Sequence, residues 1–368
     1  MSLSFGLFFP FRNPPQWQMP WNEFYESQMR LAKVAESVGY DEIWLSEHHF
    51  CEDGWSPSLF PIAAAMAQRT KTIRIGTFVL LLPLGKHPVQ VVEDATTVDI
   101  LSNGRFDLGL GLGYRVPEYK GFGISRGERA ERMDESLEII HRAWTQETFS
   151  FSGKHYNLEN VTLMPRPIQQ PHPPIWVGCM RDSTTSHYAS RGYNVFHAPF
   201  RRPMSHIQRI CDAFHEAREA LGNPRGVQRI GMSRMFYVAE REEDAFRKAK
   251  DVVINHRIGT RLHDYSQNSN SRGYVAPDPN DDDPDEKEIF DNLLMGTPDQ
   301  VLEKVEAFDR AGLDHLSLFS HFGPGHEDYI QSMELFAEKV MKPYRERHST
   351  ENQPELVAAA SGVACGGS

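Results

Sequence analysis

Strand-like and helix-like patterns alternate along almost the whole of this 368-residue chain, and that alternation constrains its fold more than any other feature. Short apolar runs at 3–9, 42–45, 73–82, 105–111, 175–177, 194–197, 231–238 and 315–319 read as strands. Amphipathic stretches at 21–38, 58–70, 89–101, 126–144, 183–191, 204–221 and 298–311 read as the intervening helices, and 327–347 as a closing one. Such alternation calls for parallel strands joined by crossover helices, that is, an α/β fold. The nearly unbroken apolar character of 73–82 suits a strand covered on both faces. Eight strands favour a closed (β/α)8 TIM barrel with insertions over an open sheet. One barrel is expected over 1–348, with a polar Ala-, Gly- and Ser-rich tail at 349–368 that lacks the apolar surface to fold.

Two segments break the rhythm. Residues 147–174 carry short β-like pieces and a proline-rich stretch, which reads as an excursion across the barrel's edge. Residues 258–288 form a long polar insertion, of which 259–274 is a candidate lid and 277–284 an acidic, solvated loop.

The balance of 39 basic against 50 acidic residues gives a net charge of -11, which repels phosphate backbones and anionic lipid. Nucleic acid and membranes are therefore not expected partners, although a local basic pocket for one small phosphate is compatible with that sum. The four cysteines form no CxxC pair, which suits a reducing, cytoplasmic setting. The apolar run at 3–9 stops at Pro10 and reads as a strand, not a secretory signal, and no stretch is long enough to span a bilayer.

In a barrel, chemistry gathers at the C-terminal ends of the strands. There the chain places Ser46-Glu47-His48-His49-Phe50, then Leu82 to Pro88, Gly111-Leu112-Gly113-Tyr114-Arg115, Gly178 to Thr185, and Ser320-His321. His48 and His49 are adjacent, so their side chains diverge and do not jointly chelate a metal; imidazole at a strand end instead suits acid/base work. Gly109, Gly111 and Gly113 fail the dinucleotide fingerprint, because Tyr114 stands where its third glycine belongs. Glycines at a strand end rather let the backbone approach a planar ligand or a neighbouring strand. Ser183-Thr184-Thr185 opens a helix with Arg181 just ahead, a combination that serves either as a monophosphate site or as a plain N-cap. Aromatic residues Phe8, Phe9, Trp17, Trp21, Phe50 and Trp55 are candidates to line an apolar pocket.

At these residues the chain resembles the bacterial luciferase family, closest to its α-subunit pattern. The resemblance runs through Ile43 to Phe50, Ile75-Gly76-Thr77, Pro83, His87-Pro88-Val89, Leu101 to Phe106, Phe122-Gly123, Ser183-Thr184-Thr185, Arg191-Gly192, Gly296-Thr297-Pro298 and the closing helix. It covers about residues 3 to 347. It implies a flavin-dependent monooxygenase that takes reduced FMN from a separate flavin reductase. In that family oxygen adds at flavin C4a, and the resulting C4a-(hydro)peroxyflavin oxidises an organic substrate. Carried over by position, His48 matches the acid/base histidine and His49 its neighbour, so both stand as catalytic candidates. Phe78–Val79 matches a non-prolyl cis peptide beside the isoalloxazine. Met180, Arg181 and Thr184 match phosphate-contacting positions, and Ser183, Gly111 and Gly113 complete the expected flavin set.

Two departures stand out. Leu112 replaces a phosphate-binding arginine and Arg181 a serine, so the positive charge is expected at Arg181 or at Arg115. The resemblance further implies a homodimer and a small apolar substrate such as an aldehyde or ketone. The alternatives are a hydride-transfer oxidoreductase using the deazaflavin F420 on the same barrel, and a non-catalytic flavin-binding subunit.

Overall fold

The computed structural model of the chain describes residues 2–199, 202–223, 227–263, 283–319 and 326–351. Its strands are β1 (Ser4–Phe9), β2 (Glu42–Leu45), β3 (Arg74–Thr77), β4 (Leu80–Leu81), β5 (Phe106–Gly111), β6 (Phe149–Ser152), β7 (Asn157–Val161), β8 (Ile175–Cys179), β9 (Asn194–His197), β10 (Ile230–Val238), β11 (Leu294–Gly296) and β12 (His315–Phe319). Pairing runs β1–β2–β3–β5–β8–β9–β10–β12 and returns to β1, every step parallel. With β3 and β4 counted as one interrupted strand, this is a closed eight-stranded barrel ringed by helices.

The structure differs from the sequence expectation at several places. The run 73–82 is not one strand: it breaks at the Phe78–Val79 peptide, which is cis, and resumes as β4. The excursion at 147–174 contains the antiparallel hairpin β6–β7. An additional short strand, β11, pairs with β10 outside the ring. A short helix, Val116–Phe122, follows β5; Pro117 starts it and Gly123, at φ 68°, ends it. Helix Ala249–His263 extends into the candidate lid, while 264–282, Ser320, His321 and the tail from 352 lie outside the described residues. Among the described residues no helix is long and apolar enough to cross a membrane.

Strand periodicity sends alternate side chains inward, and the barrel solves the crowding by facing large rings with glycines. Phe196 lies between Trp176 and Phe78, stacked on each at centroid distances of 4.2 and 4.0 Å. Trp44 meets Phe196 edge-on at 4.5 Å. The space comes from Gly6, Gly76 and Gly231: a Cβ at Gly76 would lie 2.3 Å from the Trp44 ring, and one at Gly231 2.5 Å from Phe196. These four rings plug the interior.

Beneath the plug the polar edges of the indoles are satisfied. Trp44 Nε1–H donates to His315 Nε2 at 2.8 Å, and Trp176 Nε1–H to Asp107 Oδ1 at 3.3 Å. Indole is a donor only, so His315 carries its proton on Nδ1, which faces Ser4 Oγ at 2.7 Å and Glu42 at 3.1 Å. Arg74 closes this floor on Asp107 at 2.7 Å. These contacts fill the N-terminal end of the barrel beneath the rings.

Gly76→Ala is expected to destabilise the protein by about 1–3 kcal/mol through overpacking against Trp44. Gly127→Ala, whose new Cβ meets only Ser125 Oγ at 3.6 Å, should leave the urea midpoint unchanged. Equal midpoints for the two variants would show that the rings do not need this glycine.

Candidate active site

The volume above the aromatic plug is a cavity of about 450 Å³ at the C-terminal ends of the strands. That size suits one cofactor-sized ligand. Every barrel strand contributes to its wall. Phe8 comes from β1, Ser46 to His48 follow β2, and Phe78 and Val79 join β3 to β4. Gly111 to Tyr114 come from the end of β5, and Gly178 to Arg181 from β8 and the turn after it. Ala198 follows β9, Ser233 and Met235 belong to β10, and Phe319 ends β12.

One end of the cavity is built around His48, which is 6% exposed. Its Nδ1 lies 2.9 Å from Glu118 Oε1. A carboxylate only accepts, so Nδ1 bears the proton and Nε2 is left as the acceptor. Tyr114 Oη sits 3.1 Å from that Nε2, and Trp55 meets the ring edge-on at 4.5 Å. Glu118 Oε1 also accepts the His49 backbone N–H at 2.9 Å and lies 3.3 Å from Arg115. Burial alone would push the Glu118 carboxyl up, but the His48 hydrogen bond, the His49 N–H and the Arg115 charge together hold it below the ordinary carboxylate range. An ionised Glu118 therefore stands behind His48 and fixes its tautomer.

His49 turns the other way. Its Nε2 reaches Glu47 Oε1 at 2.7 Å and its ring edges onto Phe122. Glu47 in turn accepts the Leu81 backbone N–H at 2.7 Å and pairs with Lys86. Burial opposes ionisation here too, and is overcome by His49, Lys86 and the Leu81 N–H. Glu47 thus ties the end of β2 to β4.

Cationic side chains line the cavity as well. Arg181 precedes helix Asp182–Ala189, and the Thr184 side chain accepts the Arg181 backbone N–H at 3.3 Å while its hydroxyl donates to the Arg181 carbonyl at 2.8 Å. The helix start and its neighbouring guanidinium favour an anion. Arg126 and Arg129 line the same cavity from the helices at 126–145. Glycines at the ends of β5 and β8 leave room for the Val79 side chain on this wall. A Cβ at Gly111 would lie 2.3 Å from Val79 Cγ2, and one at Gly178 3.2 Å from Val79 Cγ1. Gly113, at φ 73°, adopts a backbone conformation that favours glycine.

Of the residues expected at the site, His48, Phe78, Val79, Gly111, Gly113, Met180, Arg181 and Thr184 line this one cavity, whereas His49, Arg115 and Ser183 do not. His49 is committed to Glu47. Arg115, a candidate for phosphate binding, is 3% exposed and spends its guanidinium on the His49 carbonyl, Cys51 and Glu118, so it braces the His48 loop from behind. Phe8 and Trp55 are the only two of the six candidate aromatics on the wall; Phe9 belongs to the packed core, and Phe50 and Trp21 are exposed. Sequence reasoning missed Glu118, Arg126 and Arg129. The sequence carries no clear signal for the arginines, because Glu128 and Glu131 alternate with Arg126, Arg129 and Arg132 and the segment reads as an ordinary charged helix start, with Arg132 paired to Glu128 at 2.9 Å.

Comparison with known proteins is consistent with this geometry. A family model described as luciferase-like monooxygenase matches residues 3–315. The oxygenase component of flavin-dependent trigonelline monooxygenase from Acinetobacter baylyi is 27% identical, covering 90% of this chain and 95% of that protein. An F420-dependent glucose-6-phosphate dehydrogenase from Amycolatopsis mediterranei is 26% identical over 86% of this chain and 94% of its own length. Among solved structures, monooxygenase RslO1 from Streptomyces bottropensis superposes with a TM-score of 0.78 at 27% identity, covering 93% of this chain and all (100%) of that one.

Glu118→Gln should cost about 3 kcal/mol of stability at neutral pH, because it removes the charge facing buried Arg115. The folded-state pKa lies below the ordinary value of 4.5, so the carboxylate's contribution is present above that pH and lost as the pH falls below it. Urea unfolding of both proteins from pH 7 downward should show the gap narrowing below pH 4.5; a gap that stays constant would refute the assignment.

Proposed function

This chain belongs to the luciferase-like monooxygenase family, and on that premise we propose that it is a two-component flavin-dependent monooxygenase. It would draw reduced FMN from a separate flavin reductase and use O2 to oxidise a small apolar organic substrate, an aldehyde, ketone or similar. The observation that carries this reading is a single cavity lined by the His48 imidazole and by Arg126, Arg129 and Arg181.

The residues suit FMN. Arg181, Thr184, Arg126 and Arg129 would hold the phosphate by charge and by the helix start. Val79, Gly111 and Gly178 offer a flat surface for the ring system. Bound reduced FMN supplies the electrons that activate O2. The chain's own contribution is positional. Phe8, Met235 and Phe319 give the substrate an apolar wall, which also keeps water from the reacting atoms. His48, with Glu118 behind it, holds or releases a proton at Nε2 as the substrate is oxidised. A homodimer in the cytoplasm is part of this reading.

A second reading keeps the barrel and uses F420 for hydride transfer; the similarity to an F420-dependent dehydrogenase supports it. Anaerobic titration with reduced FMN and with reduced F420 separates the two, and tighter binding of F420 would overturn the FMN proposal. Arg181→Ala should weaken reduced FMN about tenfold or more, the effect of losing one charge-assisted hydrogen bond. His48→Gln should retain FMN affinity while lowering kcat about 100-fold or more in single-chain turnover with trigonelline, decanal and cyclohexanone as probe substrates. A His48→Gln variant that turns over at the wild-type rate would remove His48 from the mechanism.

A further inference from the structure

The cavity end at His48 has a feature that the reading above does not use. His48 does not face the cavity alone: Tyr114 stands at its only accepting nitrogen. Nδ1–H is committed to Glu118 at 2.9 Å, Trp55 covers the ring edge-on at 4.5 Å, and Tyr114 Oη lies 3.1 Å from Nε2. The Tyr114 ring meets the imidazole at a steep 73°, with centroids 5.3 Å apart, so the phenol caps Nε2 from the cavity side. Tyr114 itself lines the cavity and is half-buried. The charged groups around this pair are Glu118 and Arg115 from the segment after β5, with Glu47 and its partner Lys86 beyond His49.

We propose that Tyr114 is the group that exchanges a proton with the substrate, and that His48 acts through it as the second member of a Tyr114–His48–Glu118 relay. This rests on His48 serving as acid/base in the proposed monooxygenase. When a proton is taken from the substrate, a new O–H bond forms at Tyr114 Oη as the phenol's original proton passes to His48 Nε2. The O–H bond count at Oη is unchanged, and the positive charge arrives on an imidazole held against the Glu118 carboxylate. When the substrate needs a proton, the same two transfers run backwards and the imidazole returns to its Nδ1–H form. No redox partner beyond reduced FMN and O2 is required. A hydroxyl that both donates and accepts can pass a proton in either direction, which an apolar cap at this position could not do.

The test compares the wild type with Tyr114→Phe, which keeps the ring and removes only the hydroxyl. Nitrogen NMR of ring-labelled histidine, in the protein without ligand, should show His48 as the Nδ1–H tautomer, with its Nε2 signal moved in Tyr114→Phe. An Nε2 signal that does not move overturns the relay whatever the protein's activity. With reduced FMN, O2 and the three probe substrates, Tyr114→Phe should lower kcat about 100-fold with KM within about twofold. Site-specific 3-fluorotyrosine at 114, a more acidic phenol, should restore turnover and move the alkaline limb of the kcat profile to lower pH, which a merely structural ring would not do. Wild-type kcat and pH profile in Tyr114→Phe also overturn the proposal. Failure of the wild type to bind reduced FMN counts instead against the monooxygenase reading, and the NMR comparison still decides the contact between Tyr114 and His48.

Discussion

A parallel barrel of eight strands encloses more volume than backbone alone fills, and everything functional here depends on how that volume is stoppered. Four aromatic rings do it, seated against glycines on the neighbouring, hydrogen-bonded strands. Dispersion among stacked rings rewards the arrangement, and the two indole N–H groups are satisfied at the floor by His315 and Asp107. With the plug in the middle of the barrel, the cavity lies at the C-terminal mouth, where the segments after the strands carry the polar side chains.

Electrostatics then furnishes that mouth. The chain as a whole is acidic, at -11, yet the cavity is lined by Arg181, Arg126 and Arg129. Two carboxylates are buried beside it, each behind its own histidine. Glu118 takes His48 and Glu47 takes His49, so two adjacent imidazoles are drawn to opposite faces of one loop. Only the first reaches the cavity. The second, with Lys86 and the Leu81 N–H, anchors the loop that carries the first.

Much of this could be read from the residues, and the gaps have physical causes. The eight barrel strands were legible because doubly covered strands are apolar without interruption and lie between amphipathic helices. That same uniformity hid the break between β3 and β4 from the strand pattern, although the family resemblance had pointed to the cis peptide at Phe78–Val79 that the structure has there. Helix Val116–Phe122 spans seven residues, too short for a periodic signal, and Glu118 was overlooked with it. Arg115 was a reasonable phosphate ligand by position, but linear spacing does not reveal which way a side chain turns at a strand end, and its guanidinium points into the loop's own carbonyls. His48, Arg181 and Thr184 were found by motif; Arg126 and Arg129 come from a helix nearly eighty residues past His48, and only the closed ring brings them alongside.

That ring also acts as a gauge. His48 follows β2 and Arg181 follows β8, and β3, β4 and β5 lie between them in the barrel wall. The separation of the strand ends that carry them is therefore fixed by hydrogen-bonded strand spacing, and the loops and side chains beyond those ends adjust the reach between imidazole and guanidinium.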